Sequence, residues 1–224
     1  MLTYLLFVIP PFLLGLYAQR RVKTAFSEMS EVPTRMSGSQ AARKMLDDAG
    51  LNSVAIEPIQ GHLGDHYDPR AKVLRLSPDV YQGHSMAAVG VACHEAGHAL
   101  QDARAYGPLV IRNMAVPVAN FGSKASFGLL FGGMIFQMPG LILLGVVCFA
   151  LVVAFQLINL PVEFDASNRA RRELVAQGII AGNEEQYVAK VLNAAALTYV
   201  AATLQGVMTL AYYLLMLFGG GGDD

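Results

Sequence analysis

The sequence is short of charged residues. Asp, Glu, Lys and Arg make up 15% of its 224 residues, whereas about a quarter of an average soluble domain is charged. The formal net charge is −1, so no overall basic character indicates a nucleic-acid partner, and we expect none. Cysteine is also scarce. Cys93 and Cys148 lie far apart, so no disulfide framework can be read, and we interpret both as apolar packing residues.

Apolar residues take the place of the missing charge, at 54% of the chain with a mean hydropathy of +0.42. They fall in four long blocks, at residues 2–17, about 115–136, 141–160 and about 195–218. Because about 20 apolar residues span a bilayer, we predict about four transmembrane helices. The first is an uncleaved anchor, since positive charges follow it rather than precede it, and Pro10-Pro11 should kink or break it.

Between the first two blocks the sequence has the pattern of a small soluble α+β unit. Ser37 or Ser39 is suited to cap a helix that ends at Gly50, and Ser85 is suited to cap a second helix. Two short extended runs lie between these helices, at Val54–Ile59 and Lys72–Ser77. The predicted order is helix, strand, strand, helix, with Asp65–Arg70 as a turn between the strands.

The second of these helices carries His94-Glu95-Ala96-Gly97-His98. Residues four apart lie on one face of a helix, so both imidazoles can meet one metal ion. Catalytic zinc usually takes three protein ligands plus water, and it lowers the pKa of that water towards about 7. Glu95 can reach the water as general base and then pass the proton to the leaving amine. The pattern predicts a zinc metallopeptidase with one Zn²⁺ per chain.

The third ligand must come from elsewhere in the chain. Arg104 stands where the third histidine of the HExxHxxGxxH class would fall. The best candidate is Glu163, since Pro161 suits the first turn of a helix that would contain it. A membrane hairpin over residues 115–160 would return Glu163 to the face of His98, and Asp165 is the fallback ligand.

Several other residues are candidates for supporting roles. Asp165, Ser167 and Asp102 can orient the imidazoles, and His66 or Tyr67 can donate to the oxyanion. Asp102 is equally compatible with a solvated helix-end position, and His66 and Tyr67 are at least as compatible with ordinary loop positions.

The run Lys72–Ser77 precedes the motif helix. If it forms an exposed edge, it can pair with an extended peptide substrate by strand addition. An ordinary structural strand is the alternative.

The distribution of basic residues predicts the orientation in the membrane. Of 16 Lys and Arg residues, fifteen fall in residues 20–112 or 169–190, and Lys124 lies within the second apolar block. Cytoplasmic segments are rich in these residues. We therefore expect a multi-pass protein of the inner (cytoplasmic) membrane, in contact with the lipid bilayer, with its active site on the cytoplasmic side. The turn at 137–140 and the tail at 219–224 then lie outside.

Four segments together resemble the bacterial YugP-like membrane-bound neutral zinc metallopeptidases. They are Asp65–Arg70, Val73–Ser77, His94–Gln101 and Leu160–Ser167. A more distant resemblance links the chain to gluzincins of the HtpX and CAAX-prenyl-protease type. The resemblance implies zinc ligands His94, His98 and Glu163 with Glu95 as base. The chain departs from the distant pattern at Ser167, where Asp is expected, so Asp165 or Asn168 is a candidate for the His-orienting role.

The expected fold is an α-helical integral membrane protein with a small α+β, zincin-like cytoplasmic catalytic unit and about four transmembrane helices. The expected division is an anchor at 1–19, the α+β unit at 20–106, a membrane hairpin at 107–160, a cytoplasmic helical segment at 161–194, a transmembrane helix at 195–218 and a flexible tail at 219–224.

The expected function is hydrolysis of peptide bonds in membrane or membrane-proximal proteins. The alternative is a non-catalytic metal-binding membrane scaffold or subunit, which the missing Asp at position 167 and the small residues of the apolar blocks favour. A transporter is disfavoured because the apolar blocks carry almost no ionisable residues apart from Lys124.

Overall fold

The computed structural model describes residues 2–61 and 64–219, so most of the predicted flexible tail lies outside the described residues. These residues form seven α-helices, a three-residue 3₁₀ turn and three strands. In chain order they are α1 (Leu2–Ser30), α2 (Gly38–Asp48), β1 (Ala55–Pro58), β2 (His66–Asp68), β3 (Val73–Leu76), α3 (Pro78–Tyr81), α4 (Met86–Ala103), α5 (Gly107–Ile135), α6 (Pro139–Ala176), the 3₁₀ turn (Gly182–Glu184) and α7 (Glu185–Phe218).

Internal contacts divide the chain into two compact units. The first, here called the apolar unit, comprises Met1–Tyr17, Val110–Pro161 and Thr198–Asp224. The second, here called the α+β unit, comprises Ala18–Leu109 and Val162–Leu197. Helices α1, α5, α6 and α7 contribute residues to both.

Within the described residues, three helical stretches are long and apolar enough to cross a membrane: Thr3–Ser30, Pro139–Ala176 and Gly182–Phe218. Helix α5, which contains the predicted second span, has 29 residues but is not among them. The described residues therefore contain three such helices, whereas about four transmembrane helices were predicted.

Helices α5 and α6 approach each other closely inside the apolar unit. A Cβ added at Gly122 would lie 2.8 Å from the carbonyl oxygen of Cys148, and one at Gly145 would lie 2.9 Å from the amide nitrogen of Leu130. Small residues permit this approach, as they do in membrane helix pairs.

Prolines lie inside three of the long helices, α1, α5 and α6. Helix α1 continues through Pro10 and Pro11, so the predicted break does not occur. Helix α6 continues through Pro161, and the expectation that a new helix begins there is wrong. Proline removes one N–H and crowds the carbonyl four residues earlier, but a long apolar helix can adjust locally around these losses. Glu163 consequently lies mid-helix rather than at a helix N-terminus.

The predicted helix caps of the α+β unit are confirmed. The Ser37 hydroxyl accepts from the backbone N–H of Gln40, and the Gln40 side chain accepts from the Ser37 N–H, which completes a capping box. Gly50, with φ of +76°, follows the end of α2. Ser85 caps α4 by accepting from the N–H of Ala88.

The sheet has the order β1-β3-β2, with β3 parallel to β1 and antiparallel to β2. The run Lys72–Ser77 is therefore the central strand, and the prediction of an exposed edge there is wrong. The segment expected to be a turn contains β2, which sequence analysis missed because three residues carry too little periodicity. Asp68 ends β2, and Arg75 on β3 holds the pKa of its carboxyl at about 2.

The hydrophobic core of the α+β unit lies between α2, α4 and the sheet, and it also includes residues of α6 and α7. Its largest fully buried side chains include Met45, Leu46, Leu74, Leu76, Val89 and Leu174. Helix α4 is almost entirely enclosed, since twelve of its 18 residues are buried. Polar side chains in such a helix require partners inside the protein.

Helix α4 meets α6 at Gly97. A Cβ at this position would lie 2.6 Å from the carbonyl oxygen of Ala166. This separation is too short for any side chain, so only glycine allows the two backbones to approach this closely.

We expect Gly97→Ala to lower the free energy of unfolding by about 1–3 kcal/mol, because the added methyl group must push backbone against backbone. Thermal melting of detergent-purified protein should then fall by about 2–4 °C per kcal/mol. Gly107→Ala is the matched control, since a Cβ there meets nothing within 4 Å. Equal melting midpoints for both variants would contradict this account of Gly97.

Candidate metal centre

Helix α4 places two histidines one turn apart on the same face. The ring centroids of His94 and His98 are 4.8 Å apart, and the rings meet edge to face at 83°. The i, i+4 spacing of the sequence gives this juxtaposition directly, because α4 is one continuous helix from Met86 to Ala103. Both rings point towards one carboxylate.

That carboxylate belongs to Glu163 on α6. Its Oε2 lies 3.3 Å from Nε2 of His94 and 3.6 Å from Nε2 of His98. The three side chains are 13%, 12% and 5% exposed, in the order His94, His98, Glu163. One ligand atom from each lies within 4.8 Å of the others. The structure thus brings together the three residues that the sequence singled out.

The other nitrogen of each imidazole is occupied by a protein partner. Nδ1 of His94 lies 3.1 Å from Oγ of Ser167, and Nδ1 of His98 lies 2.9 Å from Oε1 of Gln101. These contacts leave both Nε2 atoms facing Glu163. Histidine ligands of metals commonly have this arrangement, in which one nitrogen bonds a neighbour and the other is available to the ion.

The donor set fits a zinc ion. Two imidazole nitrogens and one carboxylate oxygen form a common ligand set of catalytic zinc sites, which keep a fourth position open. A neutral imidazole and a carboxylate both bind zinc without further loss of a proton. Residues His94, His98 and Glu163 would hold the ion.

Glu95 lies beside this cluster, next in sequence to His94. Its Oε2 accepts a hydrogen bond of 3.1 Å from the backbone N–H of Tyr67 on β2. Burial raises the pKa of Glu95, and the nearby imidazoles of His94 and His98 oppose that rise. The carboxylate is thus held in place by the sheet rather than left free to rotate.

The side chains of three further candidates, Asp102, Tyr67 and His66, have partners other than the imidazoles. The Asp102 carboxylate accepts from the Tyr67 hydroxyl at 2.7 Å and pairs with Lys72, so the prediction that Asp102 orients an imidazole is wrong. Burial and the Asp102 hydrogen bond raise the pKa of Tyr67. His66 is exposed, with Nδ1 2.7 Å from the carbonyl oxygen of Gly64. Through these contacts, neither the Tyr67 hydroxyl nor the His66 ring bonds His94, His98 or Glu163.

Ser167 occupies a supporting position even though it departs from the distant family pattern. Its hydroxyl contacts His94 directly, as a carboxylate at this position would be expected to do. The Asp165 carboxylate accepts a hydrogen bond of 2.8 Å from the Gln101 side chain instead of from an imidazole.

Gln101 and the Tyr67 N–H were missed by sequence reasoning. The signal for Gln101 was available, since a glutamine three residues after a ligand on an apolar helix must be satisfied inside the protein. No sequence signal points to a backbone N–H.

Comparisons with known proteins identify the family of the chain. Residues 4–218 match the model of a family described as "Putative neutral zinc metallopeptidase". The chain is 47% identical over 209 residues to a protein of Bacillus subtilis (strain 168) described as "Putative membrane protease YugP", and the match covers 92% of this chain and 93% of that protein. No solved structure matches the chain.

We expect Glu163→Ala to reduce the zinc content of the purified protein from about one ion per chain to well below half, because a three-ligand site loses its only carboxylate. Metal analysis by plasma mass spectrometry after gel filtration in detergent measures this. Glu173→Ala removes another carboxylate of α6, which accepts a hydrogen bond from the Gln177 side chain, and should leave the zinc content unchanged. Full zinc occupancy in Glu163→Ala would show that the third ligand is a different residue.

Proposed function

The chain belongs to the family of neutral zinc metallopeptidases, and we propose that it is a zinc-dependent endopeptidase of the membrane. Peptide bonds are hydrolysed by a water molecule, with Glu95 as the general base. The observation that carries the proposal is the convergence of His94 Nε2, His98 Nε2 and Glu163 Oε2 within one small cluster beside Glu95.

The proposed reaction assigns separate tasks to the residues of the cluster. When bound, zinc supplies Lewis-acid polarisation and lowers the pKa of water. Glu95 takes a proton from the attacking water at a carboxylate oxygen and later donates it to the nitrogen of the leaving amine. The Tyr67 N–H orients the Glu95 carboxylate.

We also propose that the protein crosses the cytoplasmic membrane several times and faces the cytoplasm with its active site. The apolar unit supports a lipid environment, because its large side chains are exposed in numbers that water would not tolerate. Examples are Leu6 at 65%, Phe121 at 68% and Phe127 at 74% exposure. The positive-inside rule supports the orientation.

Membrane or membrane-proximal proteins are the proposed substrates, since the catalytic residues and the apolar helices belong to one chain. A non-catalytic metal-binding scaffold is the competing function. Its main support was the absence of Asp at position 167, and that support is weakened because the Ser167 hydroxyl contacts His94.

We expect Glu95→Gln to lower the rate of casein hydrolysis at least about 100-fold, since the amide cannot act as a base. Zinc content should equal that of the unaltered protein, because Glu95 is not among the ligands. Glu173→Gln serves as the control and should retain full activity. Undiminished proteolysis by zinc-loaded Glu95→Gln would refute the mechanism, and zinc binding without turnover of any substrate in the unaltered protein would favour the scaffold.

The orientation is testable with single cysteines in a Cys93→Ala, Cys148→Ala background. Met138→Cys, in the exposed turn before α6, should react with a membrane-impermeant maleimide in intact spheroplasts. Asn52→Cys, exposed in the α+β unit, should react only after the membrane is permeabilised. The reverse pattern would mean that the active site lies outside the cytoplasm.

A further inference from the structure

Gln101 is a fully buried polar side chain one turn beyond His98 on α4. Its residue exposure is 0%, so each of its amide groups must find a partner within the protein. Oε1 lies 2.9 Å from Nδ1 of His98. Nε2 donates to the carbonyl oxygen of Val162 at 2.8 Å and to Oδ2 of Asp165 at 2.8 Å. All of these partners belong to the α+β unit.

The two partners on α6 determine which way the amide points. A backbone carbonyl and a carboxylate only accept hydrogen bonds, so they require the NH₂ end of Gln101. Turning the amide over would place Oε1 against both oxygens and lose two hydrogen bonds of a fully buried side chain. The cost of leaving buried acceptors and donors unmatched is about 1–3 kcal/mol each. The Gln101 oxygen must therefore face His98.

This orientation selects one tautomer of His98. An oxygen facing Nδ1 can only accept, so Nδ1 carries the proton and Nε2 presents its lone pair. Nε2 is the atom that lies 3.6 Å from Glu163. The contact at His94 is different, because the Ser167 hydroxyl can either donate or accept and so leaves the tautomer of His94 undetermined.

Asp165 is itself held in position. Its Oδ2 also accepts from Nε of Arg169 one turn later, and the Arg169 guanidinium lies over the ring of Tyr106, 5.5 Å from its centroid. A chain of fixed contacts therefore runs from Tyr106 and Arg169 through Asp165 and Gln101 to His98.

We propose that Gln101 is the positioning residue that holds His98 in the Nδ1–H tautomer and so presents Nε2 to zinc. The inference rests on the proposed function in taking His98 as a zinc ligand. It assigns to Gln101 the orienting task that the sequence pattern left to Asp165, Asn168 or Asp102. Asp165 acts one step further away, by fixing the direction of the Gln101 amide.

The tautomer can be observed without any change to the amide. Full-length protein labelled with ¹⁵N-histidine is purified in detergent with zinc bound, and long-range ¹H–¹⁵N correlations are recorded. The His98 signals are assigned from their loss in His98→Gln. We expect a protonated Nδ1 and an unprotonated Nε2. A protonated Nε2 would overturn the proposal.

Zinc affinity provides the second test. Gln101→Met keeps a long buried side chain but removes the C=O and the NH₂ of the amide. We expect zinc affinity, measured by chelator competition, to weaken about 10–100-fold, as is typical when the hydrogen-bond partner of a metal ligand is lost.

Gln177→Met is the matched control, because it removes a glutamine that donates to Glu173 on the same helix. The zinc affinity of this variant should match that of the unaltered protein. A folded Gln101→Met with unaltered zinc affinity, whatever its melting temperature, would overturn the proposal. If Gln101→Met does not fold, the tautomer of the unaltered protein decides the question.

The outcomes separate this inference from the proposed function. Protein that binds zinc and shows the Nδ1–H tautomer, but cleaves no substrate, would contradict the peptidase and support Gln101 as positioning residue. An active peptidase with a protonated Nε2 on His98 would support the function and overturn the assignment of Gln101.

Discussion

The backbone contact between α4 and α6 at Gly97 is the constraint on which the metal cluster depends. His94 and His98 lie on one helix and Glu163 on another, and their ligand atoms can meet only if the two helix backbones are unusually close. Gly97 permits this, because a Cβ there would meet the Ala166 carbonyl oxygen at 2.6 Å. The same approach brings Ser167 to His94 and lets Gln101 reach Val162. The candidate zinc ligands and the side chains that contact them therefore all depend on the close packing of α4 against α6.

The sequence predicts those parts of the site whose geometry is set by residues close together in the chain. Two histidines four residues apart on a capped helix must lie on one face, and a glutamate between them must lie beside the cluster. The caps at Ser37 and Ser85 are equally local and were predicted correctly. Glu163 was reached by a different argument, from its position after Pro161 and from the parity of membrane crossings. The structure places its Oε2 3.3 Å from Nε2 of His94, although the helix boundary assumed at Pro161 was wrong.

The rest depends on interactions that leave little trace in one sequence. Strand β2 is three residues long, so its place at the sheet edge follows from packing rather than from periodicity. Because β2 pairs with β3, the run Lys72–Ser77 contains the central strand of the sheet. One edge of the sheet then lies in the segment that was expected to be a turn. The backbone N–H of Tyr67 cannot be read from residue types at all. Asp102 illustrates the converse, because its spacing from His98 suits an orienting role but Tyr67 and Lys72 engage its carboxylate.

The separation of the ligands along the chain has a consequence for the order of synthesis. Position 163 follows positions 94 and 98 only after all of α5 and more than half of α6. During translation His94, Glu95 and His98 are therefore made well before Glu163, the carboxylate that the fold brings to them. A nascent chain holds an incomplete set of candidate zinc ligands throughout that interval. Under the proposed function, peptide-bond hydrolysis can therefore begin only after α5 and more than half of α6 have been made.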